Sequence, residues 1–353
     1  MSVKVMLVSV GGGVSEGILG CLARHRPAVT LIGVTSQPDT PAARLCDRVH
    51  KVAPLADAAG FARDLLAVLA AERPAIAFPC RDEDLPALAL LRAGQPELAA
   101  PLLVGPPAWA EAMRDKLAMA RFAADHGVPM AETAADPPAV TALAARHGFP
   151  LIAKPRRGSG TRGVYVVATP AQLEHCLRLG GMAFQPYIAP PPDLLARLPD
   201  PAAGHAFTGS GDLEDFLSVR GIVDKGGRLA AHCLAEVQHR FGRPFRLALA
   251  ECTPAASALA AAMAAGLGHL GYRGPFGAQC RIDHQGRLTA FEMLSRIGGS
   301  TLGFAMQGYD ETSMTVSLFT GAALAPLPAD QVCGAVEWLP VPVPRLGGRH
   351  AGA

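Results

Sequence analysis

Several common signatures are missing from this 353-residue chain. It has eight cysteines, but no C-x-x-C pair. Their scatter leaves zinc and redox motifs unsupported and predicts free thiols in a reducing cytoplasm. No stretch reaches the ~20 continuous apolar residues of a membrane span, although half the residues are apolar; alanine supplies much of that half. The opening, Met1 to Leu7, runs directly into a strand pattern, so no signal peptide is expected. Charge of one sign is also lacking: a net +2 argues against a nucleic-acid footprint.

What is present centres on residues 147–169. Leu151–Ala153 is a short apolar run that ends on Lys154-Pro155, and proline stops it by removing a backbone donor. Gly158, Gly160 and Gly163 then alternate with Ser159, Thr161 and Arg162, and Tyr165–Ala168 returns to β-type residues. Small residues let backbone N–H groups approach an anion, and Lys154, Arg156, Arg157 and Arg162 add positive charge. A polyphosphate fits this strand, Gly-rich turn and strand; an ordinary basic hairpin loop is the alternative. The P-loop order does not fit, because the lysine precedes the glycines and a strand follows.

Upstream, Val3–Val10, Val29–Thr35 and Ala75–Phe78 read as strands between helices over Val14–His25, Ala58–Glu72 and Leu85–Arg92. Alternation of this kind predicts a parallel α/β layer over residues 1–110, with ligands at the carboxyl ends of its strands. Gly11-Gly12-Gly13 is followed by Glu16 where a dinucleotide fingerprint needs its third glycine, and the second strand ends on Thr35-Ser36 without an acid. Arg81–Asp84 lies either where substrate contacts form or at a helix N-terminus that favours acids.

Downstream, the pattern predicts one helix over Trp109–His126 with Asp115-Lys116 in its middle. Further helices fall at Val140–Arg146, Ala171–Leu179 and Pro254–Leu270, a strand at Met182–Ile188, and helical residues at 300–320. Residues 189–213 form a long Pro/Gly-rich loop, of the kind that is usually functional or mobile. Phe216–Val223 and Arg228–Cys233 make a hairpin about Asp224–Gly227. A second hairpin, Gly274–Asp283 with Leu288–Met293, carries Gln279 and Glu292 on its two arms. Oxygen donors converging from facing strands suit one hard cation such as Mg²⁺. Val336–Pro344 reads as an edge strand or a loose end.

The order of these features resembles the ATP-grasp superfamily, most closely one half of the carbamoyl phosphate synthetase large subunit. Asp115-Lys116 matches its phosphate lysine and Lys154 to Gly163 its lid, with Gly158, Ser159, Gly160 and Gly163 as the cradle. Gln185, Tyr187 and Ile188 match the hinge, with Pro186 in place of a glutamate. Asp215–Val219 matches the acidic-aromatic-Ser-Val segment, one residue longer. Glu292–Arg296 matches the metal motif, with Leu294 in place of asparagine and Gln279 as upstream ligand.

The resemblance implies a Rossmann-like parallel α/β domain (1–110), a lid subdomain (111–188), a nucleotide- and metal-binding subdomain (189–330) and a tail (331–353). That is an α/β and α+β chain with a two-lobed ATP-grasp fold. It further implies ATP and Mg²⁺ (or Mn²⁺) as cofactors. Lys116, Lys154 and His239 would lie near the nucleotide, Gln279 and Glu292 would hold the metal, and Arg296 would hold the transferring group; for His239 a structural role is equally open. The implied activity is a cytoplasmic, ADP-forming carboxylate–amine ligase working through an acyl phosphate. Its substrates would be small molecules, with neither nucleic acid nor membrane as partner, and a homodimer is plausible. Leu294 and Pro186 leave open an inactive ATP-binding regulatory protein, and a carboxylate kinase or carbamoyl-phosphate-type activity is a further alternative.

Overall fold

The computed structural model describes residues 2–158, 162–190, 192, 194, 207–208, 214–240, 243–326 and 336–337. The first layer is a parallel sheet of β1 (Val3–Val8), β2 (Val29–Thr35), β3 (Arg48–Lys51) and β4 (Ile76–Pro79), in the order β3-β2-β1-β4. Helices α1 (Gly13–Leu22), α2 (Ala58–Glu72) and α3 (Leu85–Gly94) connect or follow these strands. Val5 to Val8 are buried on both faces, which is why β1 reads as a nearly unbroken apolar run. That strand stops two residues earlier than the apolar pattern suggests, because Ser9 takes a positive φ of 62°.

The predicted helix over Trp109–His126 is two helices, α4 (Pro107–Ala112) and α5 (Lys116–Asp125). Asp115 breaks it: its backbone is extended, and its carboxylate caps α5 by accepting from the Leu117 N–H. The apolar period survives the break, since Trp109, Met113, Met119 and Phe122 all enter one core. Periodicity alone therefore could not reveal it. Lys116 becomes the first residue of a helix instead of a mid-helix residue.

A second sheet, antiparallel between paired strands, comprises β5 (Leu151–Pro155), β6 (Tyr165–Val167), β7 (Met182–Pro186) and β8 (Phe207–Thr208), in the order β7-β5-β6-β8. Helices α6 (Pro137–His147) and α7 (Pro170–Leu179) pack on it around Val140, Leu143, Leu151 and Phe184. β7 ends at Pro186, so Ile188 lies beyond the strand assigned to it.

The third sheet is antiparallel and six-stranded: β9 (Glu214–Val223), β10 (Leu229–Arg240), β11 (Arg243–Ala250), β12 (Gly274–Ile282), β13 (Leu288–Leu294) and β14 (Val336–Glu337), ordered β13-β12-β9-β10-β11-β14. The tail thus supplies an edge strand at Val336–Glu337; the rest of 331–353 lies outside the described residues, as does most of 189–213. One face of this sheet, through Val219, Ala278, Cys280, Ala290 and Met293, buries against the alanine-rich helix α8 (Pro254–His269). The residues between them in sequence face the other way. Residues 300–320 form two helices, α9 (Thr301–Met306) and α10 (Glu311–Thr320). Gly17 and Gly20 let α1 close on α9: a Cβ on Gly17 would lie 2.7 Å from Thr301 Cγ2.

Candidate active site

Gln279 and Glu292 are direct cross-strand partners, and Gln279 also pairs with Ser218 on β9. The three side chains therefore line up across one sheet face. In the next row Arg220 pairs with Gly277, which pairs with Leu294. The β12–β13 ladder shifts register between Gln279 and Cys280, leaving Phe291 without a partner opposite it. A bulge of this kind re-aims what the strand presents. It turns Phe291 toward Phe216, ring centroids 6.1 Å apart, on the face that carries Glu292.

Lys154, next to last in β5, reaches that bulge. Its Nζ donates to the Phe291 carbonyl at 2.9 Å and lies 5.7 Å from the Phe291 ring centroid. Lys116 comes from the other side, with Nζ donating to the Gly158 carbonyl at 3.0 Å. Both lysines are 5% exposed. Their approach is fixed by Asp115, which pairs with Arg156 through two hydrogen bonds, while the Lys116 N–H donates to the Arg156 carbonyl. Burial pushes the Asp115 carboxyl up, but Arg156 and the helix-end N–H groups outweigh it and hold the carboxyl below its ordinary range. The structure thus ties α5, the Gly-rich turn and the β12–β13 hairpin into one group. Gly163 keeps a positive φ of 69°, as a tight turn against Pro155 requires; Ser159 and Gly160 lie outside the described residues.

Between Gly158 and Glu292 a small cleft opens, lined in part by Asp82, Arg114, Arg157 and Leu294. Gln185, on β7, is 2% exposed and donates from Nε2 to Thr133 Oγ1 at 2.9 Å. The Tyr187 ring stacks under the Arg281 guanidinium, 5.1 Å from its centre. Ile188 is half-buried just after it.

His239 stands at a register shift in β10 and meets the Phe216 ring edge-on at 4.7 Å. Burial, aided by Arg220, lowers its pKa to about 4, so it stays neutral at neutral pH. His232, on the same strand, is tied to Ser257 at 3.0 Å and serves the packing of α8.

Arg296 follows β13 and turns to the first layer. Its Nε donates to Asp82 Oδ1 at 2.7 Å, its Nη2 to Asp82 Oδ2, and its Nη1 to the Ile297 carbonyl at 2.7 Å. Burial alone would lower its pKa; the Asp82 charge reverses that and raises it. Asp82 lies in the short turn just past β4 that the sequence left open between substrate contact and helix start. Asp84 is fully buried against Arg81, 2.6 Å away.

Residue types did not single out Arg220. It is 5% exposed, and donates from Nε to Ser218 Oγ (3.2 Å) and from Nη2 to Ser300 Oγ (3.1 Å). Its Nη1 faces Glu311 at 4.0 Å with no hydrogen bond. Its signal was the strand alternation, which places it two residues from Ser218 on the same face.

The donor set suits a hard cation. An amide oxygen and a carboxylate stand side by side on one face, and Leu294 adds nothing. No group of three or more His, Cys, Asp or Glu residues that could hold a metal occurs among the described residues. Such a pair fits an ion that keeps several waters and leans on a ligand's phosphates. The seven described cysteines are all free, and burial pushes the Cys80 and Cys280 thiols up. No helix among the described residues is long and apolar enough to cross a membrane.

No protein-family model matches the sequence, and no curated protein matches it. Solved structures do match. An N5-carboxyaminoimidazole synthetase from Staphylococcus aureus, complexed with ADP, aligns over 92% of this chain and 80% of its own, with 12% identity and a TM-score of 0.68. A biotin carboxylase from Campylobacter jejuni aligns over 95% and 74%, at 16% identity and TM-score 0.67. An L-amino acid ligase from Bacillus licheniformis aligns over 94% and 76%, at 14% identity and TM-score 0.61. With a parallel layer followed by two antiparallel sheets that face each other across the lysines and the Gln279–Glu292 pair, the chain has the ATP-grasp fold.

Proposed function

We propose that this chain is an ATP-dependent ligase. It activates a small-molecule carboxylate as an acyl phosphate and joins the acyl group to an amine or related nucleophile, releasing ADP and phosphate. One observation carries the reading: Lys154, from one sheet, ends at the carbonyl of the residue before Glu292, on another. Phosphate-type cation and metal-type carboxylate are thereby brought to one point. The similar structures support it, since one is an ADP complex and another, a 2-oxoglutarate carboxylase domain dimer, was solved with MgADP and hydrogen carbonate.

In this reading residues 1–110, 111–188 and 189–330 are the three working units. Gln185, Tyr187 and Ile188 border the base; His239, neutral, adds no charge beside it. Gly158, Ser159, Gly160 and Gly163 close over the phosphates and exclude water. Lys116 and Lys154 exchange their carbonyl partners for phosphate oxygens. Gln279 and Glu292 hold Mg²⁺ (or Mn²⁺), which when bound neutralises charge on the phosphates.

A substrate carboxylate oxygen then attacks the γ-phosphorus while the bond to the β-phosphate oxygen breaks. The amine next attacks the acyl carbon, the carbon–oxygen bond to phosphate breaks, and the amine proton passes to solvent. No covalent protein nucleophile is needed; positioning and charge neutralisation suffice. Arg296 holds the transferring group. The partners are small molecules, the setting is the cytoplasm, and the enzyme is a homodimer, which sedimentation will check.

ADP release with a panel of carboxylates and amines, with Mg²⁺ present, tests the reading. Lys154→Ala and Glu292→Ala should each lower turnover by roughly 10²–10³, the scale of removing one preorganised charge-stabilising group. Full turnover in both variants would show the site to be elsewhere. Leu294, which lines the cleft one row from Gln279 and Glu292, favours a second reading: an ATP-binding regulatory protein. Tight ATP binding without turnover on any substrate would put that in the ligase's place.

A further inference from the structure

The contact between Asp82 and Arg296 joins residues 214 positions apart. It is a two-point ion pair between the turn past β4 and the residue that follows the metal hairpin. The Arg296 side chain is 11% exposed and that of Asp82 24%, so water screens the pair only partly. Such forks fix the plane of a guanidinium as well as its charge.

A guanidinium has five N–H donors. Asp82 takes one from Nε and one from Nη2, and the Ile297 carbonyl takes one from Nη1. One N–H remains on each terminal nitrogen. Two such N–H groups, on adjacent nitrogens of one rigid plane, match two oxygens of a carboxylate or phosphoryl group. Asp82 also lines the cleft that Glu292 and Gly158 line, and it holds Arg296, four residues beyond Glu292, against that cleft.

Resting on the ligase reading above, we propose that Asp82 is a positioning residue. By gripping the Nε side of Arg296 it orients the remaining N–H pair of that guanidinium toward the anionic group being transferred. Asp82 itself touches neither nucleotide nor acyl phosphate. The carboxyl end of β4 therefore serves the reaction through an arginine supplied by the third sheet. Without Asp82, Arg296 keeps its charge but loses its aim.

Calorimetric titration of inorganic phosphate into the full chain saturated with MgADP tests this without turnover. Arg296→Ala should weaken phosphate binding by about tenfold or more, roughly the worth of one oriented charged contact. Asp82→Ala should weaken it nearly as much, with MgADP affinity unchanged. The double variant should lose no more than Arg296→Ala alone, because Asp82 acts only through Arg296. If Asp82→Ala folds poorly, Asp82→Asn, of nearly equal volume, takes its place in the cycle.

Three outcomes overturn the proposal: wild-type phosphate affinity in the Asp82 variant, losses that multiply in the double variant, or no phosphate binding by the wild type. Failure of the ligase reading shows separately, as no ADP release from ATP with any carboxylate and amine, or as absence of MgADP binding. The same cycle is then run on nucleotide-free protein, and the same comparison decides the role of Asp82.

Discussion

At the scale of single residues, the buried Arg220–Glu311 pair makes two predictions. Glu311 is fully buried, and neither carboxylate oxygen has a hydrogen-bond partner. Burial pushes its carboxyl up, with nearby Arg220 only partly opposing this. A folded-state pKa above the unfolded one adds stability below the ordinary carboxylate range, and that stability is lost as pH rises through the folded value. Glu311→Gln cannot lose the proton. Its melting temperature should match the wild type at about pH 4, below the ordinary carboxylate range, and exceed it by about pH 8; a constant gap across that range would contradict the assignment. The second prediction concerns Gly298, where a Cβ would lie 2.1 Å from both terminal nitrogens of Arg220. Ser218 and Ser300 hold that guanidinium, so it cannot swing aside without losing them. Gly298→Ala should cost about 1–3 kcal/mol, the usual range for overpacking, and thermal melts will read it.

At the scale of elements, helix α8 and the β9–β10 turn meet at two glycines. A Cβ on Gly268 would lie 2.1 Å from the Gly227 carbonyl oxygen, and backbone cannot yield as a side-chain tip can. Gly268→Ala should therefore lower the melting temperature by several degrees, while Gly94→Ala, with nothing within 4 Å of its Cβ, should not. The elements themselves were largely legible in the sequence. Apolar runs marked β1, β2 and β5, and Asp224–Gly227 and His284–Arg287 marked their hairpins. The Gln279–Glu292 pairing followed from the hairpin that joins them. What escaped reading had physical causes. The cap at Asp115 hid within an unbroken apolar stripe. The partners of Arg220 and Arg296 come from segments far away in sequence, joined only when the layers pack. The bulge at Phe291 is a matter of register, and residue types do not announce it.

At the scale of the whole molecule, the first layer is tied to the third sheet's helices at several points. Gly17 and Gly20 seat α1 on α9, Arg24 pairs with Asp310 at 3.2 Å, His25 meets Ser313 at 3.1 Å, and Asp82 grips Arg296. Among the described residues, the second sheet and the segment that leads into it meet the third at Lys154 to Phe291, Tyr187 to Arg281 and the bridge of Met130 to Ala290. Nucleotide that bridges Lys154 and the β12–β13 hairpin is expected to draw the second sheet onto the third. Hydrogen exchange with and without MgATP will test this: amides of β5 and β7 should gain protection while those of β1 to β4 stay unchanged. Equal gains in all three sheets would refute it.

The two lysines that rest on the carbonyls of Gly158 and Phe291 have a consequence for how the protein responds to its medium. Folding has already stripped both ammonium groups of most of their water and set neutral oxygens in its place. A triphosphate that takes over those positions meets cations with little hydration left to shed and no atmosphere of mobile ions around them. Nucleotide affinity should then depend weakly on ionic strength, changing by less than about threefold between low and moderate salt, since buried pairs are screened far less than exposed ones.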